Sequence, residues 1–158
     1  MKDATKTVQM YDLDDTDKKI LKTLLLDSRL SYREIARRNK LAVSTVIDRF
    51  SKLRHNGIID GFSLRINPAK LGYGLTTIIT VSMPKGLARH GMDEIAKLPN
   101  VHAIYETTGR FDSFVIAKFK DMSEMHDFLR DLHEKEFVRK TETHVVLRSP
   151  KEDFRVLI

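Results

Sequence analysis

The apolar residues of this chain change their spacing once, near residue 70, and that change limits the fold more than any other feature. Up to Gly57 they recur at intervals of three and four, the period of a helix. From Leu75 they alternate, the period of a strand. The pattern predicts a helical head followed by a body of mixed strands and helices, and 158 residues allow two small domains.

The head reads as three helices. Asp14 caps the first, with acidic residues in its opening turn where the helix dipole favours them. Ile20, Leu21, Leu24 and Leu25 form its inner stripe, and it should end near Asp27–Ser28. Ser31 and Glu34 make a Ser-x-x-Glu capping box for the second helix, whose inner face is Ile35 and Ala36. Leu41, Ala42 and Val43 then form an apolar turn, and Ser44 or Thr45 starts the third helix. Val46, Ile47, Phe50 and Leu53 point inward there, and Gly57 sits where a left-handed C-cap is wanted. Its opposite face carries Ser44, Thr45, Asp48, Arg49 and Lys52, side chains suited to reach base edges in a DNA major groove. An ordinary helical hairpin with a solvated face would show the same pattern.

Charge separates those two readings. Residues 1–70 hold fifteen basic against nine acidic side chains, whereas residues 71–158 hold thirteen of each. Residues 29–56 alone carry eight basic and two acidic. Such sorting favours a polyanion, through phosphate neutralisation and counterion release. Double-stranded DNA is the expected partner, with Ser44, Thr45, Asp48 and Arg49 at the bases. Tyr32, Arg37, Arg38, Lys52 and Arg54 are expected at the phosphates.

The rest divides into a polar arm (1–11), the helical domain (12–60), a linker or hinge (61–74) punctuated by Asn67-Pro68 and Gly72-Tyr73-Gly74, and a second domain (75–158). The arm either lacks order or packs across a partner. The second domain reads as strand 75–83, a helix over 88–98 stopped by Pro99, strand 101–108, a turn at 109–112 and strand 113–120. A helix capped by Ser123, with Met125, Phe128, Leu129 and Leu132 inward, and strand 141–148 complete it. The order β-α-β-β-α-β predicts an α+β, ferredoxin-like antiparallel sheet with both helices on one face. Ile78, Val115 or its neighbours, and Val146 are too apolar for a solvated opposite face, so pairing of two copies through their sheets is expected.

The turn Thr107–Asp112 has the chemistry of an α-amino acid site. Gly109 lets successive amides turn outward toward a carboxylate, Asp112 offers an acceptor for an ammonium group, and Thr141 and Thr143 share one face of the last strand. A plain glycine hairpin with Asp112 bonding its own turn accounts for the same residues.

Other classes find little support. There is no cysteine, hence no disulfide or thiolate chemistry. His55, His90, His102, His126, His133 and His144 show no metal-ligand spacing, and no catalytic set, metal site or cofactor is expected. No apolar run reaches the roughly 18–20 residues of a membrane span. Residues 1–12 lack the apolar core of a secretory signal, so the cytoplasm is the expected location.

Five local signatures in order, LDDTDKKIL, SYREIARR, STVIDRFSKLRHNGIIDGF, NPAKLGY and YETTGRFD, resemble the Lrp/AsnC (feast/famine) transcription regulators over residues 12–150. The resemblance implies a homodimer through the second domain that assembles further to a tetramer or octamer. It implies sequence-specific DNA binding, with two recognition helices about 34–36 Å apart per helical turn. It also implies an effector, an amino acid or a related small molecule, near the turn after the second strand, at Thr108, Gly109, Arg110, Phe111 and Asp112. Arg110 departs from the acidic or neutral residue common there, and is expected to select an acidic or phosphate-bearing ligand or to pair with Asp112 or Glu106 and close the site. Residues 132–140 lack the glycine or proline usual before the last strand. Sirohaem decarboxylase subunits share this architecture and give the enzyme alternative, against which the basic face stands. A DNA-wrapping architectural protein is a third reading.

Overall fold

The computed structural model describes residues 11–153, 155 and 156; the expected arm lies almost wholly outside them. The chain divides into two compact units. The first runs up to Leu64 and is rejoined by the chain from Asp153; the second is Arg65–Glu152.

The first unit packs α1 (Asp15–Leu26), α2 (Tyr32–Asn39) and α3 (Val43–His55) around one core. Capping sets where two of them begin. Asp14 accepts from the Asp17 amide at 2.8 Å, and Asp17 reaches back to the Asp14 amide. Ser31 and Glu34 form the reciprocal pair for α2. The third helix starts one or two residues earlier than expected, at Val43, and its N-cap Ala42 has no side chain able to accept a hydrogen bond. Ile20, Ile35, Val46 and Leu53 are fully buried, with Leu21, Leu24, Ala36 and Phe50 around them. Ile47, expected inward, is 44% exposed, because the core closes over Val46, Phe50 and Leu53 on one side of it. The tail groups here rather than with the sheet: Arg155 Nη1 donates to the carbonyl of Leu25 at 3.3 Å, one of the unpaired carbonyls at the end of α1.

Between α2 and α3, Lys40 adopts a left-handed conformation (φ +54°), and its amide donates to the carbonyls of Ala36 and Arg37. A side chain with a Cβ is strained there. Lys40→Gly is expected to raise the unfolding free energy of this unit by about 0.5–1 kcal/mol, after deducting the extra chain entropy of glycine. Urea denaturation followed by helical circular dichroism measures it.

The second unit opens with a 3-10 turn (Pro68–Leu71) capped by Asn67, and Gly72 ends it at φ +89°. Then follow β1 (Leu75–Ser82), α4 (Ala88–Ile95), β2 (Val101–Glu106), β3 (Ser113–Phe119), α5 (Met122–His133) and β4 (Lys140–Val145). The sheet is antiparallel in the order β2-β3-β1-β4, the ferredoxin-like arrangement. Ile79, Val81, Val115, Ala117 and Phe119 line one face and pack against Ile95, Met125 and Leu132, so both helices cover that side. Val115 is therefore core, not a member of the opposite face. Period-two alternation assigns Ile78, Phe114, half-buried Ile116 and Tyr105 to that opposite face instead. One end of it is closed by an ion pair of Lys118, 7% exposed, with Glu152 at 3.1 Å. The cap of α5 is Asp121, which accepts from the Glu124 amide, so Ser123 lies inside the helix. Helix α4 and strands β2 and β4 end two to three residues short of their expected limits.

Candidate nucleic-acid interface and effector turn

The outward face of helix α3 carries most, not all, of the polar side chains expected on it. Ser44, Asp48 and Lys52 are exposed at spacings of four, Thr45 is half-buried on its flank, and Arg54 is exposed in the last turn. Arg37 and Arg38 are exposed on α2, giving the first unit two basic helices side by side. Tyr32 is 39% exposed, with its ring tilted against Phe50 at 5.2 Å, so its aromatic body packs while its edge meets solvent.

Arg49 is placed elsewhere. Its Nη1 pairs with Asp14 and, at 3.4 Å, with Asp17, whose side chain is 1% exposed. The guanidinium is turned to the start of α1, where it joins α3 to α1, and not outward with Ser44 and Asp48. Its guanidinium is held protonated above its ordinary range, first by the hydrogen bond to Asp14. The Asp14 carboxyl is held below its usual value, first by the Asp17 amide and then by Arg49.

In the second unit the turn after β2 is closed by its own bonds. The Thr107 amide donates to the Asp112 carbonyl at 3.0 Å, and Thr107 Oγ1 to the Phe111 carbonyl at 3.0 Å. Gly109, at φ +128°, takes the conformation that a side chain would resist. Asp112 is fastened at the end of the two central strands: its amide donates to the Val81 carbonyl, and its Oδ2 accepts from the Met83 amide at 2.7 Å.

The expected effector residues fall on two faces of the sheet. Arg110 lies over the Phe111 ring and pairs with Glu142 at 3.8 Å, not with Asp112 or Glu106. Glu142 also binds Lys140 at 2.9 Å, and this bond is the first cause of its lowered pKa. Thr141 and Thr143 stand opposite Val81 and Ile79, on the helix-covered face, and Thr141 Oγ1 is 2.6 Å from His133 Nε2. Thr108 and Gly109 are exposed at the tip. Sequence reasoning missed Ser113, directly after Asp112, whose hydroxyl is buried without a hydrogen-bond partner among the described residues. Its place in a strand run offers no signal for that. Among the described residues no cluster of three or more His, Asp or Glu could hold a metal ion, and no helix is long and apolar enough to cross a membrane.

Known proteins carry the same two parts. Residues 13–60 match the winged helix-turn-helix DNA-binding model, and residues 76–156 the Lrp/AsnC ligand binding domain. An HTH-type transcriptional regulator of Pyrococcus furiosus is 43% identical over 145 residues, covering 92% of this chain and 98% of the relative. Regulator FL11 of the same organism is 36% identical, covering 89% and 93%. A transcriptional regulator of Neisseria meningitidis, solved with L-Met, superposes with a TM-score of 0.86 at 30% identity, covering 92% of this chain and 96% of that one. Escherichia coli AsnC, at 24% identity and TM-score 0.84, shares the fold, covering 92% and 99%. With a DNA-binding helix-turn-helix joined to a ligand-binding domain, the chain belongs to the Lrp/AsnC family of transcriptional regulators.

Proposed function

We propose that this regulator reads a specific DNA sequence with α3 and couples its DNA affinity or its assembly to an α-amino acid bound at the turn Thr107–Asp112. The observation that carries the reading is a recognition helix with an exposed polar face, set among exposed basic side chains, in a chain whose other unit matches a ligand-binding domain. Asp112 supports the effector site. Its Oδ2 is fixed by the Met83 amide, so the carboxylate is positioned before any ligand arrives. The L-Met of the Neisseria relative is a ligand of that protein, and it makes amino acids the first compounds to test here.

A second copy of the chain is the proposed cover for the sheet face carrying Ile78, Phe114 and Tyr105, each at least a third exposed. Dimers built in this way would present two recognition helices to one duplex, and further assembly to tetramers or octamers is part of the same proposal.

Duplex binding titrated with each amino acid, together with sedimentation, tests the coupling. Asp112→Ala is expected to abolish the ligand response while leaving ligand-free DNA binding intact. Asp112→Asn, which keeps an acceptor for the Met83 amide but loses the charge, should also fail to respond. An unchanged response to every active amino acid in both variants would remove Asp112 from the site.

A further inference from the structure

Two large apolar side chains of α3 turn away from its core: Ile47 is 44% exposed and Val43 38%. With Ser44, Asp48 and Ser51 they recur at spacings of three and four, so they share the outward surface. Arg49 is absent from it, because Asp14 and Asp17 hold its guanidinium at α1. The middle of the recognition surface therefore consists of hydrocarbon, hydroxyl and one carboxylate, with cations only toward its end, at Lys52 and Arg54.

That chemistry discriminates among bases. Guanine presents two acceptors to the major groove and is matched by a bidentate arginine or lysine, which this surface lacks at its centre. Thymine presents a methyl group, the one apolar feature in the groove. Cytosine and adenine present amino groups that a carboxylate such as Asp48 accepts. We infer that Ile47 and Val43 recognise thymine through its methyl group, so that α3 selects sites by apolar contact rather than by arginine to guanine. The inference rests on the sequence-reading role proposed for α3. Charge identifies DNA as the occupant of this apolar pair. Exposed Arg37, Arg38, Lys52 and Arg54 accompany it in the same unit, and a second copy docked by the same surface would set those cations against their equivalents.

The test uses the full-length protein and a duplex recovered by selection from a random library. That duplex is prepared with thymine and again with deoxyuridine, which pairs identically but lacks the methyl. Loss of one contacted methyl is expected to weaken binding about three- to fourfold. Ile47→Ala should bind the two forms nearly equally, whereas Ile47→Val should keep most of the difference. Melting temperatures close to the parent's are expected for both variants, since Ile47 is outside the core. A selective parent that binds both duplexes equally overturns the inference, as does an Ile47→Ala variant that retains the full difference. Recovery of no preferred sequence is a distinct result, which would defeat the sequence-reading role itself and this inference with it.

Discussion

Phe119→Ala is expected to lower the unfolding free energy of the sheet unit by about 3–5 kcal/mol, within the range for removing a buried aromatic ring. Phe119 is the largest of the fully buried side chains, sits at the end of β3, and meets Phe128 of α5 edge to face at 5.2 Å. Truncation would remove both the buried area and that ring contact, in a core to which nine of the described residues contribute buried side chains. Small domains hold only about 5–15 kcal/mol in total, so the variant should be close to unfolding at ambient temperature. The helical unit has a separate core. Calorimetry should show the loss in one transition, with the helical signal near its parental temperature. A single transition shifted as a whole would show that the two cores unfold together, and no shift would mean that the Phe119 contacts are not formed in solution.

What could be read from the sequence follows from how far each determinant reaches along the chain. Asp14 with Asp17 and Ser31 with Glu34 lie three residues apart, so the starts of α1 and α2 were legible from local chemistry alone. The alternation of Leu75 to Ser82 and the order of elements fixed the ferredoxin-like body in the same way. Errors arose where a distant partner decides. Val46 and Ile47 are both apolar at adjacent positions, and only the packing of α1 and α2 determines that Val46 is the buried one. Val115 alternates correctly within its strand, but the period of two does not say which face the helices cover. Lys40 at positive φ carries no glycine or asparagine to announce it. Gly91 resembles a weak point in α4, yet an added Cβ there would lie 2.8 Å from the Phe137 ring and 2.9 Å from the Met83 sulfur. It marks a close approach rather than a flexible turn.

The candidate sites show the same division. The tight turn around Gly109 was legible because glycine has a local reason to be there, whereas the Asp112 carboxylate accepts from the Met83 amide, 29 residues away, and not from its own turn. Thr141 and Thr143 were correctly given a common face, but that face is the one packed on the helices, where His133 meets the Thr141 hydroxyl. Arg110 finds Glu142 through strand pairing that its own neighbourhood does not encode.

Arg49 gives the clearest consequence of such a distant partner, since its acceptor Asp14 lies 35 residues away. Had Arg49 read a base, Arg49→Ala would weaken the preferred duplex more than random DNA. With its guanidinium committed to Asp14 and to buried Asp17, the substitution is expected to lower the melting temperature of the helical unit. It should also reduce affinity for both kinds of duplex by the same factor, because α3 loses its tie to α1 and Asp17 is left buried without its cation. Acid provides an independent check. The Asp14 carboxyl is depressed in the folded state, first by the Asp17 amide and also by Arg49. A depressed carboxyl contributes stability that is present above its unfolded value, about pH 4, and is lost as pH falls through the folded value. The parent should therefore lose melting temperature as the pH drops below about 4. In Arg49→Ala this acid loss should be smaller and finished at a higher pH, though not absent, since the Asp17 amide still stabilises the ionised form. Selective loss of the preferred duplex, with melting and its acid dependence unchanged, would return Arg49 to the bases.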